Sequence, residues 1–161
     1  MDIIFDTIPS TLDEFKALPY ASLSEPEYGS ALFVIAMMNY RDNKETALSM
    51  LEYLKGPSGV SEFDRQFLSD RLNGKDYVVR SFFAGTSPDN DYTPSMPYTI
   101  SLARRDDTAD SGRISVFMRS SGADSERYIR MRLKPSANQW FIEEQFILSD
   151  IRIPKSQDEW A

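Results

Sequence analysis

The sequence predicts an α+β fold in which N-terminal helices pack on one face of a four- or five-stranded antiparallel sheet. The first observation is a change of hydrophobic period, because residues 10–74 show the spacing of helices and residues 77–147 show the alternation of strands. The second is that the connectors between the alternating segments are short and rich in turn residues, which favours antiparallel neighbours. The chain has no internal repeat and no obvious linker, so we expect residues 1–161 to form a single domain.

The first two helices have clear start signals. Thr11 with Glu14 matches a capping box at the beginning of the first helix. Ser24 with Glu27 matches a second capping box. The second helix continues through ALFVIAMM at residues 31–38, which is apolar on nearly every side, so we expect it to be buried at the centre of the fold.

Two further helices follow. Asn43 is placed to begin the third helix, and Gly56 is placed to end it. Ser61 is placed to begin the fourth helix, which ends before Gly74. The apolar faces of these helices are Ala47, Leu48, Leu51 and Leu54 in the third and Phe63, Phe67, Leu68 and Leu72 in the fourth.

Four segments of the second part alternate as half-buried strands do, and residues 77–83 are a candidate for a fifth strand. A shift of one residue in register would exchange the two faces of the sheet. The side chains expected to face the helices are Tyr98, Ile100, Leu102, Ile114, Val116, Met118, Ile129, Met131, Leu133, Trp140 and Ile142. The side chains expected on the outward face are Thr99, Ser101, Ser115, Phe117, Arg119, Tyr128, Arg130, Arg132, Phe141 and Glu143.

The sequence contains no cysteine and no histidine, which limits its chemistry. Without cysteine there is no disulfide framework, thiol nucleophile or cysteine-ligated metal. Without histidine there is no serine–histidine relay and no histidine-based zinc site. Acid–base catalysis would depend on a carboxylate, a lysine or a tyrosine, so the sequence leans away from an enzyme. We expect no cofactor and no metal ion.

The net charge of −7 is confined to the first part of the chain. Residues 1–98 carry 15 acidic and 8 basic side chains, whereas residues 99–161 carry 10 of each. This acidic part has no basic cluster to contact nucleic-acid phosphates, so we expect no nucleic-acid partner. The N-terminus lacks the features of a signal peptide and no segment is long and apolar enough to span a membrane, so we expect a cytoplasmic protein with no membrane partner.

The loop SPDNDYTPSMPY at residues 87–98 places acidic and tyrosine side chains between prolines. It fails as an EF-hand calcium loop, because Pro94 stands where that pattern needs glycine and its last position is not acidic. An irregular calcium site at Asp89 and Asp91 is one interpretation. The other is an extended connector in which Tyr92 pins the loop to the domain or holds it where a partner contacts it.

Two adjacent acid pairs and one serine-rich turn are weaker candidates for a site. Glu143 and Glu144 are neighbours on a strand, so we expect them to point to opposite faces and not to converge on one substrate. Asp106 and Asp107 fall in a hairpin loop where nothing in the sequence desolvates them. The turn SSGADS at residues 120–125 lacks a phosphate-loop pattern and any residue that would activate its serines, so we interpret it as a connector.

The outward face of the sheet is the surface that most favours a function. Its mixture of aromatic and arginine side chains is typical of protein interfaces. A solvated face covered by cross-strand pairs and a site for a small anionic ligand are the alternatives. The residues predicted to bind a ligand or partner are Tyr92, Phe117, Arg119, Tyr128, Arg130 and Arg132.

Five segments carry a family resemblance: LSMLEYLKGP (48–57), FLSDRLNGKDY (67–77), GTSPDNDYTPSMPYTI (85–100), SSGADSERYIRMRLK (120–134) and QWFIEEQFILSDIRIP (139–154). Together they resemble an uncharacterised bacterial domain family whose members look like intracellular stand-alone proteins of unknown function. The resemblance extends from about Ala47 to Pro154, and GTSPDNDYTP and SSGADS are its most specific parts. It implies no activity.

The closing strand, in which Trp140 precedes an acidic pair, is similar to the last strand of cystatin-like and NTF2-like domains. That similarity implies a helix packed against a curved sheet. Enzymes of the NTF2-like group usually carry histidine, aspartate or tyrosine inside the sheet's cone, and no histidine is present here to take that role.

The function that the sequence favours is a non-enzymatic binding or interaction module that uses the outward sheet face. Its partner would be a protein or a second copy of the chain. The alternative is a small-molecule binder or carboxylate-dependent enzyme with a pocket between the helices and the sheet. The side chains expected between these two layers are apolar, which favours the first interpretation.

Overall fold

The computed structural model describes residues 1–105 and 112–161, and there five helices pack against a curled, five-stranded antiparallel sheet. This confirms the predicted α+β class. The strands, which lie side by side in chain order, are β1 (Asp2–Phe5), β2 (Tyr98–Arg105), β3 (Arg113–Met118), β4 (Arg127–Lys134) and β5 (Gln139–Gln145). The helices are α1 (Leu12–Lys16), α2 (Pro26–Met38), α3 (Lys44–Lys55), α4 (Glu62–Leu72) and α5 (Tyr77–Arg80). In the part of the chain that is described, no helix has the length and hydropathy needed to cross a membrane.

Three helices begin at the predicted capping residues. Thr11, Asn43 and Ser61 each accept a hydrogen bond from the backbone N–H three residues later, at 3.1 Å. The Asp64 carboxylate accepts in return from the N–H of Ser61 at 3.0 Å, which completes a capping box. Gly56 ends α3 with a φ of 55°, a conformation that glycine adopts without strain.

Helix α2 is the centre of the core, as predicted. Every residue from Gly29 to Met37 is buried, and the helix packs against β2, β4, β5 and α3. Gly29 permits a close approach to the sheet, because a Cβ atom there would lie 2.7 Å from Cε of Met131. The inward side of the sheet is therefore filled by α2.

An ion pair between a buried carboxylate and a partly exposed arginine joins α2 to the sheet. Glu27 is 3% exposed, and Arg104 of β2 donates to both of its carboxylate oxygens, from Nε at 2.7 Å and from Nη2 at 2.6 Å. Nη2 of Arg104 also donates to Glu25 at 2.6 Å. The hydrogen bonds to Glu27 and then to Glu25 hold the pKa of Arg104 above its usual range.

The capping box predicted at Ser24 and Glu27 is wrong. Helix α2 begins at Pro26 without a side-chain cap, and Glu27 turns to Arg104 instead. The physical reason is burial, because a carboxylate removed from water gains more from a bidentate guanidinium than from a helix terminus.

The strand predicted at residues 77–83 is also wrong. Residues 77–80 form α5, and the chain then turns so that the N–H of Ala84 donates to the carbonyl of Thr99 at 2.9 Å. The fifth strand is β1, which pairs Ile3 with Ile100 and so occupies the edge of β2 that a strand from residues 77–83 would need.

The two edges of the sheet are each protected. At the β5 edge the N–H of Trp140 donates to the carbonyl of Leu23 at 2.8 Å, so part of this edge is covered by the segment before α2. The β1 edge is only four residues long, and its Asp2 side chain accepts a hydrogen bond from Ser101 at 2.6 Å.

Candidate interaction surface

The outward face of the sheet is built by β2, β3, β4 and β5 in register. It lies opposite the buried aliphatic side chains, as the alternation of the sequence predicts. Three rows of side chains cross it: Ala103, Phe117 and Tyr128; Arg105, Ser115, Arg130 and Glu144; and Arg113, Arg132 and Phe141.

The first row continues as a strip of aromatic rings. The ring centroids of Phe117 and Tyr128 are 5.2 Å apart, and those of Tyr128 and Phe146 are 4.8 Å apart. Phe146 follows β5, where its N–H donates to the carbonyl of Tyr128 at 3.0 Å, and its side chain is 40% exposed. The guanidinium of Arg105 lies 4.0 Å from the ring centroid of Phe117. We call Phe117, Tyr128 and Phe146 the aromatic row.

Ion pairs fix some of the charged side chains on this face. Glu126 accepts from Arg105 at 2.6 Å and lies 3.9 Å from Arg119, which is exposed just beyond β3. Glu143 accepts from Nε of Arg113 at 3.1 Å. These three arginines are therefore held by carboxylates of the same surface.

Two arginines of the face are different. No side-chain hydrogen bond or ion pair joins the guanidinium group of Arg130 or Arg132 to another described residue. Nε of Arg130 is buried without a partner, whereas Arg132 is exposed. Ser115, which lies opposite Arg130 on β3, is completely buried although it is on the outward face.

The described part of the face carries an excess of positive charge within a chain of net charge −7. It contains five arginines and three glutamates, which are Arg105, Arg113, Arg119, Arg130, Arg132, Glu126, Glu143 and Glu144. This local excess attracts anionic groups from solvent or from a partner.

A β-bulge changes the geometry of the acid pair in β5. Arg130 lies opposite Glu144 and Met131 lies opposite Ile142, so Glu143 is an extra residue in the strand. Glu143 reaches Arg113 on the outward face, and Glu144 lies across from Arg130 on the same face. The expectation that Glu143 and Glu144 point to opposite faces is therefore wrong, because the bulge interrupts the alternation. The other pair, Asp106 and Asp107, lies outside the described residues.

A cleft of about 520 Å³ opens on the same face where β2 and β3 diverge. Residues 81–86 line it, together with Thr99, Ser101 and Phe117. The cleft lies beside the aromatic row and ends near Arg119, so the face combines a flat aromatic strip with a polar depression.

Tyr92 lies apart from this face. Its side chain is completely buried, its ring stacks on Tyr77 with centroids 5.8 Å apart, and its Oη donates to the carbonyl of Arg152 at 2.6 Å. Burial raises the pKa of Tyr92. Gly122 lies against the hydroxyl, where a Cβ atom would come within 2.3 Å. Tyr92 thus pins the 87–98 loop to the turn at residues 120–125 and to the C-terminal segment.

The two aspartates of the 87–98 loop have protein partners. Asp89 forms an ion pair with Lys155, and Oδ1 of Asp91 accepts from the hydroxyl of Ser156 at 3.4 Å. In the described ranges, no three acidic side chains lie close enough together to hold a metal ion.

The hydroxyl groups of the SSGADS turn are engaged in a local network. Ser120 donates to the hydroxyl of Ser81 at 2.6 Å, and Ser81 donates to the carbonyl of Val78 at 2.7 Å. The hydroxyls of Ser121 and Thr86 are 2.8 Å apart. This network joins the turn to the segment after α5, which gives it a structural role.

A second concavity lies between α4 and β5. It has a volume of about 370 Å³ and is lined mainly by apolar side chains, among them Phe33, Leu51 and Phe63. Lys55 donates to Asp64 at 2.9 Å at its border. Burial opposes the ionisation of Asp64, but the hydrogen bonds from Ser61 and Lys55 outweigh it and lower the pKa of this carboxyl. A general acid at neutral pH would need the opposite shift.

The structure brings four of the six predicted site residues together on one face: Phe117, Tyr128, Arg130 and Arg132. Arg119 lies at the border of the face, and Tyr92 is buried elsewhere. Three residues of this face are not among the predicted site residues: Phe146, which follows the bulge, and Arg105 and Glu126, which lie at the ends of strands. Arg105 could have been predicted by extending the second strand beyond Ala103, because Arg105 continues the alternation that begins at Tyr98.

The chain belongs to the family described as a domain of unknown function (DUF6935), whose profile matches residues 7–155. The match confirms the resemblance to a domain family of unknown function. No curated protein and no solved structure matches the chain.

Proposed function

We propose that this member of a domain family of unknown function is a non-enzymatic interaction module that binds a protein partner through the outward face of its sheet. The partner in the simplest case is a second copy of the chain. The proposal uses no cofactor, metal ion, nucleic acid or membrane, and it places the protein in the cytoplasm, which its lack of cysteine fits.

The observation that carries the proposal is the pair Arg130 and Arg132. Both guanidinium groups lack partners among the described residues, and they lie beside the stacked rings of the aromatic row. Arginine and tyrosine are the side chains most often responsible for affinity at protein interfaces. The ion-paired arginines around them hold the rest of the face in place, so the two guanidinium groups stand on a pre-ordered surface.

Light scattering coupled to gel filtration tests this proposal. We expect wild type to show a concentration-dependent dimer, and the double variant Arg130→Glu, Tyr128→Ala to stay monomeric. Arg132→Glu reverses one charge at an exposed position, so it tests the face without disturbing the core. The matched control is Arg41→Glu, since Arg41 is 74% exposed on the helical side and undergoes the same change of charge. A wild type that is monomeric at all concentrations contradicts self-association.

The concavity between α4 and β5 supports a second candidate function, the binding of a small apolar molecule. Its apolar lining and the 76% exposure of Phe63 at its rim favour this candidate. A carboxylate-dependent reaction there is disfavoured, because the pKa of Asp64 is lowered. A thermal-shift screen with apolar metabolites, compared between wild type and Phe63→Ser, tests it, since a ligand that binds only the folded state raises the melting temperature.

A further inference from the structure

The segment after Pro154 carries the most exposed large apolar side chain of the described residues. Trp160 is 93% exposed, and Asp158 and Glu159 precede it. The N–H of Trp160 donates to the Asp158 carboxylate at 2.9 Å, which forms a compact turn. Tryptophan has a large apolar surface, and most of that surface is usually buried away from water in a core or an interface. A tryptophan this exposed is therefore typical of a binding anchor. We call Asp158, Glu159 and Trp160 the acidic–aromatic segment.

The 87–98 loop holds this segment at its base. Lys155 is ion-paired with Asp89, and Ser156 donates to Asp91. Tyr92 fixes the loop from beneath through its hydrogen bond to the backbone of Arg152. The acidic–aromatic segment therefore begins from an ordered position on the surface.

We propose that the acidic–aromatic segment docks on the outward sheet face of a second copy of the chain. The two surfaces are complementary in charge, because two adjacent carboxylates would meet Arg130 and Arg132, which have no partners among the described residues. Their apolar groups are complementary as well, because the indole of Trp160 would stack on the aromatic row beside the exposed Phe146. This inference rests on the proposed function of the face and names its partner.

The docking is between two chains because Trp160 is exposed within its own chain. If each chain gives its segment to the face of the other, the same contact forms twice around a two-fold axis. The result is a closed dimer in which each face and each segment is used.

An exchange of charges between two variants tests this arrangement. Arg132→Glu reverses the face, and Glu159→Arg reverses the segment, so we expect each variant alone to be monomeric. In the mixture, the reversed face meets the reversed segment at one contact and the two natural surfaces meet at the other. We therefore expect the mixture to recover the dimer in light scattering and native mass spectrometry.

A labelled peptide of residues 155–161 tests the segment separately, by fluorescence anisotropy with the full-length Trp160→Ala protein, which lacks a competing anchor. We expect saturable binding that weakens with salt. We expect a Trp160→Ala peptide to bind about tenfold more weakly or worse, as the loss of a central anchor does.

The outcomes separate this inference from the proposed function. If wild type dimerises and the face variants are monomeric, but the mixture does not recover the dimer and the peptide does not bind, the face is an interface for another segment and the inference is wrong. If changes to the segment abolish the dimer but Arg132→Glu does not, the segment binds elsewhere, for example between α4 and β5. If wild type never dimerises and the peptide does not bind, the inference and self-association through the face both fail.

Discussion

The arginines on the two faces of the sheet have different surroundings. On the inward face Arg104 is bound by Glu27 and Glu25, with three hydrogen bonds of 2.6–2.7 Å. On the outward face three arginines pair with carboxylates of that face, whereas the side chains of Arg130 and Arg132 have no partner among the described residues. The comparison shows that the inward arginine joins two layers of the fold, whereas the outward arginines either pair within one surface or have no side-chain partner among the described residues.

The largest expected difference between the faces is in stability, and it is measured by substituting the neighbours Ile129 and Tyr128. Ile129 is completely buried under the helices, so Ile129→Ala should lower the free energy of unfolding by about 3 kcal/mol. Tyr128 is only half-buried and contacts two rings, so Tyr128→Ala should lower it by about 1 kcal/mol. Urea unfolding of both variants measures the difference, and equal losses would show that the outward face is as important to stability as the core.

The next effect separates the adjacent arginines Arg104 and Arg105. Arg104→Met leaves the buried carboxylate of Glu27 without a partner, and we expect a loss of about 3 kcal/mol. Arg105→Met, the matched control, removes an exposed ion pair with Glu126 and a ring contact, and we expect a loss of about 1 kcal/mol or less. Thermal and urea unfolding test both variants. A control as damaging as Arg104→Met would show that burial of the Glu27 carboxylate does not determine the loss.

The smallest expected effect concerns Asp64 at the edge between the faces. Its pKa is lower in the folded protein than in the unfolded chain, so its ionised form stabilises the fold above the unfolded pKa near 4. This contribution is lost as the pH falls through the lower, folded pKa. Asp64→Asn should therefore destabilise the protein by about 1 kcal/mol or less at pH 7, and by much less near pH 2. Urea unfolding at the two pH values measures the change; an equal loss at both would mean that the charge is not responsible.

Much of the fold could be predicted because its signals are local. The caps at Thr11, Asn43 and Ser61 lie within four residues of the groups they satisfy, and the alternation of β3 and β4 is continuous. Strand β1 could not be predicted in this way, since Ile3 finds its partner only at Ile100. Helix α5 was mistaken for a strand because adjacent valines favour strands locally, while tertiary packing decides the outcome.

The candidate site could be predicted in part for the same reason. Alternation was enough to place Phe117, Tyr128, Arg130 and Arg132 on one face. The sequence does not show the bulge that places Glu143 and Glu144 together, because a bulge is set by pairing with β4. It also left open whether Tyr92 was an anchor or a contact, since that depends on the distant backbone of Arg152.

The protected edges of the sheet limit how copies of the protein can associate. An open strand edge recruits further strands and leads to fibres. Here the carbonyl of Leu23 already occupies the N–H of Trp140, the bulge at Glu143 distorts the rest of β5, and β1 offers only four residues. Polymerisation by strand addition is therefore disfavoured at both edges of the sheet.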